Sequence, residues 1–437
     1  MNQEDVEIHF LVIIMNSFET LYPIKTSNLK DIKNFAKKKN ELSSLSNSEI
    51  ISALGDISNY WLSSNFKLKT DFINNSFGFI IPWIKKNNIE KLLKLNFRNP
   101  KLLDYPESLE DTIFYLRPLG NILHWMTGNV PVITLISIFQ GIITKNKNLV
   151  KVSKEYKKVF KDLFSDLEKA NIKKKNKLVL KKILNSIYIF YVDYKDKDNL
   201  EKISQLADGR VIWGGFDAVS NVISLPKKIN CRDTIFGPKI SLALISRKKL
   251  KNLKNFYSNF TNDVFNFDQL GCNSPHNLVI ETESNKVILK IARDLSKNFQ
   301  YHINFVRPNI DPETKFNSIT KKFKLMNTKE YKFFSDINSN WNIIVNTGKK
   351  IKLENPMYNR TVFIHKISRI DDLKDKLPEN VQSIGLYVTK SERKKIIMNL
   401  SEKAGDRFPQ IGKMGLYSNP WDGHMTLQNL VRWISTN

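Results

Sequence analysis

From Leu119 onward the chain alternates short apolar runs with amphipathic stretches, and this alternation restricts the fold more than any other feature of its 437 residues. LGNILHWMTGNVP (Leu119 to Pro131) reads as a strand entering a Gly-Asn turn, followed by the apolar helix VITLISIFQGIITK. The strand NLVKVS (Asn148 to Ser153) precedes EYKKVFKDLFSDLEKA, whose apolar residues recur at three- and four-residue spacing as on one face of a helix. SIYIFYVD (Ser186 to Asp193) is rich in β-branched and aromatic residues and predicts a buried strand. DKDNLEKISQLA, RVIWGG (Arg210 to Gly215) and FDAVSNVI continue as helix, strand and helix. A β-α-β-α-β order requires right-handed crossovers, hence a parallel sheet covered by helices on both faces. A second series begins near Asp233: strand KISLALIS, helix KKLKNLKNFYSNFTNDVFNF, strand NLVIE, helix KVILKIARDLSKNFQ, then strands NIIVNT, TVFIHKI and SIGLYVT. The expectation is an α/β protein with two Rossmann-like domains in succession and a crevice between them.

Composition narrows the class. Apolar content of 41% with 11% aromatic residues excludes a disordered chain. Two cysteines make no disulfide framework; Cys231 and Cys272 lack metal-ligand spacing, and the six histidines offer no metal site. That thiol usage suits a reducing cytoplasm. The longest apolar run, Val130 to Thr144, is short of the ~20 residues a spanning helix needs and carries Ser, Gln and Thr. IHFLVIIM follows acidic residues, unlike the basic start of a signal peptide. A net charge of +26 could mark a nucleic-acid surface, but the lysines are spread everywhere without an RNA-binding motif, and a solvated lysine-rich surface is the preferred reading. Residues 1–110 read as mainly helical, with apolar spacing in IHFLVIIMNSFETLY and SALGDISNYWLSSNF.

One cysteine stands apart. Cys272 lies in FDQLGCNSPHNLVIE, a Gly-Cys-Asn-Ser-Pro turn between a long helix and a short strand, where a buried structural thiol would not be expected. A thiolate attacking an acyl carbonyl needs exposure, N–H donors that lower its pKa and hold the oxyanion, and a dry acyl channel. Gly271 permits close backbone approach, and Pro275 limits extension into a sheet.

The order GNVP, KNLVKVS, WGG, FGPK, FDQ-x-GC-x-SP and a terminal WDG with LVRW resembles the LuxC-type long-chain acyl-CoA reductases, the fatty-acid reductases of bacterial luminescence, within the aldehyde dehydrogenase superfamily. The resemblance runs from about Leu116 to the C-terminus. It implies an aldehyde dehydrogenase-like fold, with residues 1–110 packed on a cofactor domain of residues 111–232. Residues 233–400 would form a catalytic domain, and residues 401–437 a segment returning to the cofactor domain or to a subunit interface.

By that resemblance, Cys272 accepts the acyl group from a thioester, and Asn129 forms the oxyanion hole together with the nucleophile's N–H. Lys151 reaches the adenosine ribose or its 2′-phosphate, with Ser153 adding a hydroxyl. Gly214 and Gly215 let the cofactor approach backbone N–H groups. Gly237, with Pro238 and Lys239, lines the nicotinamide side through backbone. Hydrolytic relatives carry a water-activating glutamate where this chain has Ile235, which cannot act as a general base. His276, four residues beyond Cys272, and His424 remain without a settled role, as does the Trp421-Asp422-Gly423 signature.

The implied activity is reduction of an acyl-CoA or acyl-protein thioester to a long-chain aldehyde with NADPH, leaving NADH open. The implied partners are an acyl-protein synthetase and further copies of the chain, with no nucleic acid and no membrane span. The alternatives are a cysteine acyltransferase or thioesterase without redox chemistry, and a basic nucleic-acid-binding protein.

Overall fold

The computed structural model describes residues 17–23, 29–306 and 310–436, so the run IHFLVIIM lies outside the described residues. The chain divides into two compact units, one running to Gly237 and resuming at His424, the other spanning Pro238–Gly423.

The first unit is built on a six-stranded sheet. Its strands are β1 (Phe18–Tyr22), β4 (Asn121–Trp125), β5 (Lys147–Lys151), β6 (Ile187–Val192), β7 (Gly209–Trp213) and β8 (Arg232–Phe236), in the order β1-β6-β5-β4-β7-β8. β2 (Glu107–Leu109) and β3 (Thr112–Pro118) pair instead with the terminal strand Val431–Thr436 in a small antiparallel sheet. All neighbours from β6 to β8 are parallel, and every residue of β4 and β6 is buried, which is why these strands read as apolar runs and not as alternating ones. β1 is the exception. FETLY was expected inside a helical stretch, yet it pairs antiparallel with β6 at the sheet edge, where β-branched and aromatic residues fit a half-buried ribbon. The helix Asn47–Leu62 forms as expected, started by a capping box between Ser46 and Glu49.

The register β7–β8 sets Arg210 opposite Asp233, and their side chains close a bidentate pair, Nε to Oδ1 at 2.8 Å and Nη2 to Oδ2 at 2.7 Å. Arg210 is fully buried, so this pair locks the strands together from inside. Cys231 sits beside it in the core with Leu123, Trp125 and Ile212.

The second unit repeats the plan with β9 (Ile240–Ile245), β10 (Pro275–Glu281), β11 (Tyr331–Ser335), β12 (Asn342–Asn346), β13 (Thr361–Ile367) and β14 (Val381–Tyr387). The order is β11-β12-β13-β10-β9-β14, parallel throughout except for the antiparallel edge strand β11. The helices Phe256–Phe265 and Asn285–Ile303 cover one face through Phe256, Phe260, Ile291 and Leu295. The long helix expected from Lys248 begins as a 3-10 turn at Arg247–Lys251 and becomes α-helical only at Phe256. No membrane-crossing helix and no metal-binding cluster of His, Cys, Asp and Glu occurs among the described residues.

Candidate active site

In the first unit the strand sequence determines where a ligand can lie. β4, β5 and β6 step outward in one direction, and β7 and β8 step in the other, so the order reverses between β4 and β7. Open parallel sheets bind ligands beyond the carboxyl ends of strands flanking such a reversal. The residues singled out in this half of the sequence occupy that edge: Asn129 after β4, Lys151 and Ser153 at the end of β5, Gly214 and Gly215 after β7, and Gly237 after β8.

Their surroundings suit a dinucleotide. Lys151 is half-buried, its ammonium lies 5.9 Å from the Tyr191 ring centre, and no carboxylate forms an ion pair with it among the described residues. Burial pushes its pKa down, while Glu155 and Asp193 oppose that shift. Ser153 Oγ is buried without a hydrogen-bond partner. The Gly128-Asn129 turn packs against it, since a Cβ at Gly128 would stand 3.3 Å from Ser153 Oγ. Asn129 itself is exposed and is not among the left-handed residues, so it is not held there as a turn former. A Cβ at Gly214 would come within 3.0 Å of Ala218 in the helix Phe216–Ile223, whereas Gly215 and Gly237 border open space. The Trp213 and Phe236 rings stack at 3.9 Å beside them, and His424 meets Phe236 edge-on at 5.7 Å. An orphaned hydroxyl, a cation with no ion-pair partner among the described residues and uncovered glycine backbone fit the ribose and phosphates of a dinucleotide. Ile235 packs against the core cluster of this unit.

Cys272 belongs to the second unit, in the turn that enters β10. Its carbonyl accepts from Ser241 Oγ at 2.7 Å, and Ser241 Oγ in turn accepts from Ser383 N at 3.2 Å. The site thus forms at the amino ends of β10, β9 and β14. The thiol is less available than expected. It is half-buried, and its pKa is pushed up to about 12, by burial first and then by Asp422, against a hydrogen bond from Gln382 and the charge of Arg407. No helix begins at Cys272, so no helix-terminal N–H cluster depresses it. Cys231 is also raised by burial but lies in the core.

The turn is held by a clasp that sequence spacing did not reveal. Phe267, Asp268 and Gln269 have φ of 53°, 52° and 66°, and Tyr358, Asn359 and Arg360 have φ of 53°, 50° and 52°. Six left-handed non-glycine residues are strained and need over-determination by their surroundings. Arg360 Nε donates to Asp268 Oδ1 at 2.9 Å, while Gln269 Nε2 donates to the carbonyls of Pro275 and Thr361 at 2.9 and 2.8 Å. The Thr361 N–H returns to Gln269 Oε1 at 2.7 Å. His276 is buried edge-on to Tyr358 at 5.5 Å, and burial lowers its pKa to about 3, so it is a neutral ring at pH 7. Gln382 and Arg407 stand by the thiol with no signal in the sequence; Asp422 stands there too, and the sequence left its role open. Only the Trp-Asp-Gly signature pointed toward one of them.

Comparison with known proteins agrees with this architecture. A long-chain acyl-protein thioester reductase from Vibrio harveyi is 25% identical over 327 residues, covering 73% of this chain and 64% of that protein, less than two thirds of its length. The aldehyde dehydrogenase 21 of Physcomitrella patens, solved with succinate, superposes over 93% of this chain and 88% of its own with a TM-score of 0.61 at 11% identity. An aldehyde dehydrogenase from Bacillus cereus, solved with NAD+, covers 93% and 88% with a TM-score of 0.60 at 9% identity. The Acyl-CoA reductase (LuxC) family profile matches residues 42–433, starting well before Leu116 and taking in most of the N-terminal helices. The chain therefore has the aldehyde dehydrogenase fold and belongs to the acyl-CoA reductase (LuxC) family.

Proposed function

We propose that this protein reduces a long-chain acyl thioester to the aldehyde through an acyl-Cys272 intermediate. The observation that carries the reading is the ligand-fitting edge of β5-β4-β7-β8, because a cysteine acyltransferase or thioesterase would need no dinucleotide site. The thioester reductase activity of the Vibrio harveyi relative supports the thioester substrate, and the NAD+ of the Bacillus cereus structure supports a nicotinamide cofactor.

In the proposed reaction, sulfur of Cys272 attacks the acyl carbonyl, the bond to the donor thiol breaks, and that thiolate leaves with its electron pair. The reduced nicotinamide, when bound, supplies a hydride. Asn129 offers its side-chain amide to the oxyanion formed on acylation and again on reduction, and collapse of the hemithioacetal restores Cys272 and frees the aldehyde. Lys151 and Ser153 hold the adenosine ribose; a 2′-phosphate there would pair with the Lys151 ammonium, which favours NADPH. Gly214, Gly215 and Gly237 present backbone to the dinucleotide. Ile235 supplies no base for water, so the acyl group waits for hydride or another thiol. The donor is an acyl-CoA or an acyl-protein thioester handed over by a synthetase, in a reducing cytoplasm, and the protein works as a homo-oligomer.

The test is intact-mass analysis after mixing the protein with a panel of acyl-CoAs, with and without NADPH. An adduct on wild-type protein and on Cys231→Ala, absent from Cys272→Ala and discharged to aldehyde by NADPH, is expected. Adducts on Cys231, or free acid as the product at saturating NADPH, would refute it.

A further inference from the structure

We propose that Asp422, Gln382 and Arg407 are positioning residues for Cys272, and that the Trp-Asp-Gly signature places a carboxylate beside the nucleophile. The proposal rests on the reading of Cys272 as that nucleophile. Four separate stretches of the second unit converge here: the turn before β10, the start of β14, the segment after the helix Lys390–Ser401 and the loop at Trp421. Gln382 is fully buried; its Nε2 donates to Asp422 Oδ1, the same side chain hydrogen-bonds the thiol, and its Oε1 has no partner of its own.

Arg407 lies behind this pair. Its guanidinium donates to Ser383 Oγ at 3.2 Å and to the Leu416 carbonyl at 2.8 Å, and stacks over Trp421 at 4.2 Å. Ser383 is the residue whose N–H reaches the serine holding the Cys272 carbonyl, so arginine, tripeptide and nucleophile share one network. Asp422 is left-handed, with φ of 47°, a strained conformation for an aspartate. Among the charged and titratable groups, Asp422 and Arg407 act on the thiol, the thiol acts on Tyr358, and Tyr417 and Asp263 act on Arg407. The two nearest charges oppose each other: the carboxylate disfavours thiolate and the guanidinium favours it. A thiol held this way rests neutral, protected from stray oxidation, with a cation at hand once the carboxylate is neutralised.

The experiment measures iodoacetamide modification of Cys272 in full-length protein carrying Cys231→Ala, at pH 8. Asp422→Asn, which keeps the shape, should raise the rate about tenfold, the effect of one pKa unit on thiolate population. Arg407→Gln should lower it several-fold, while Arg407→Lys, which keeps the charge, should restore most of it. Gln382→Leu should also lower it. Loosened packing would speed every variant alike, so opposite signs are the signature sought. An unchanged rate in Asp422→Asn, or a rise in both Asp422→Asn and Arg407→Gln, overturns the proposal. Iodoacetamide needs neither acyl donor nor cofactor, so this inference and the acyl-cysteine reading fail separately.

Discussion

Lys151 carries the cofactor half of the proposal at the scale of one side chain. Its ammonium is half-buried at the end of β5 with no carboxylate partner among the described residues, so it has a charge-assisted bond to offer. Losing such a bond costs ~1.5–3 kcal/mol, so Lys151→Ala should raise the cofactor KM by about one to two orders of magnitude. Cofactor-free acylation of Cys272 should survive, and an unchanged KM would return Lys151 to the solvated surface. Ile235 gives a second prediction. Without a positioned base, worth ~10²–10⁴ in rate, the acyl-enzyme formed without NADPH should persist and be discharged faster by added thiol than by water. A glutamate at 235 would face the core around Leu123, Trp125 and Ile212, so Ile235→Glu should lose stability before it gains hydrolysis, seen as a lower urea midpoint. The sequence singled out Cys272, Asn129 and Lys151 because each stands in a short local motif. It was silent on Gln382 and Arg407, since a buried glutamine or arginine brought in from a distant strand leaves no local pattern.

At the scale of elements, the clasp before β10 joins two strained loops that lie far apart in sequence. Asp268 and Arg360 are almost buried and face each other, and removing one partner of such a pair costs about 3–5 kcal/mol because the other charge is left unpaired. Arg360→Leu should therefore lower stability by that order. It should also release the left-handed turn, slowing Cys272 acylation by about tenfold or more while leaving cofactor binding alone. Amide hydrogen exchange over residues 266–274 is the check; protection equal to wild type would show that the turn is held by other means. The same contrast explains which elements were legible. β4, β6, β9 and β12 announce themselves because strands buried on both faces are mostly apolar, without the polar alternation of a half-exposed strand. β1 and β11 do not: they are antiparallel edges with mixed composition, and their state is decided by a strand distant in sequence. The break at Asn252–Asn255 was hidden because lysine and asparagine fit a helix surface and a turn equally well.

For the whole molecule, the buried histidines set the acid limit. His124 is bonded to Ser137 and Asn148, His365 to Asn277, and His276 is enclosed beside Tyr358. Burial lowers their pKa values to about 4, about 4 and about 3. The unfolded chain takes up these protons near pH ~6.5, whereas the folded one refuses them until well below, so the stability they confer is complete above pH ~6.5 and is lost as pH falls. Asp263 works the other way. Its pKa is raised to about 7, chiefly by burial, despite N–H donors at Gly412, Met414 and Gly415, so the folded state holds a proton that the unfolded state has released. That contribution grows as pH falls from about 7 to about 4. Three groups against one leave the unfolded state binding a net of about two more protons through this window, so stability should fall on acidification. Carboxylates lowered by hydrogen bonds, such as Glu49 and Asp311, add to the loss only at lower pH. The urea midpoint should drop between pH 7.5 and 5.0, and His276→Phe, which keeps an aromatic ring against Tyr358 without a titratable nitrogen, should shrink that drop by about half. A midpoint that does not move with pH, or a drop undiminished in His276→Phe, would mean that these histidines are reached by water and are not enclosed as neutral rings.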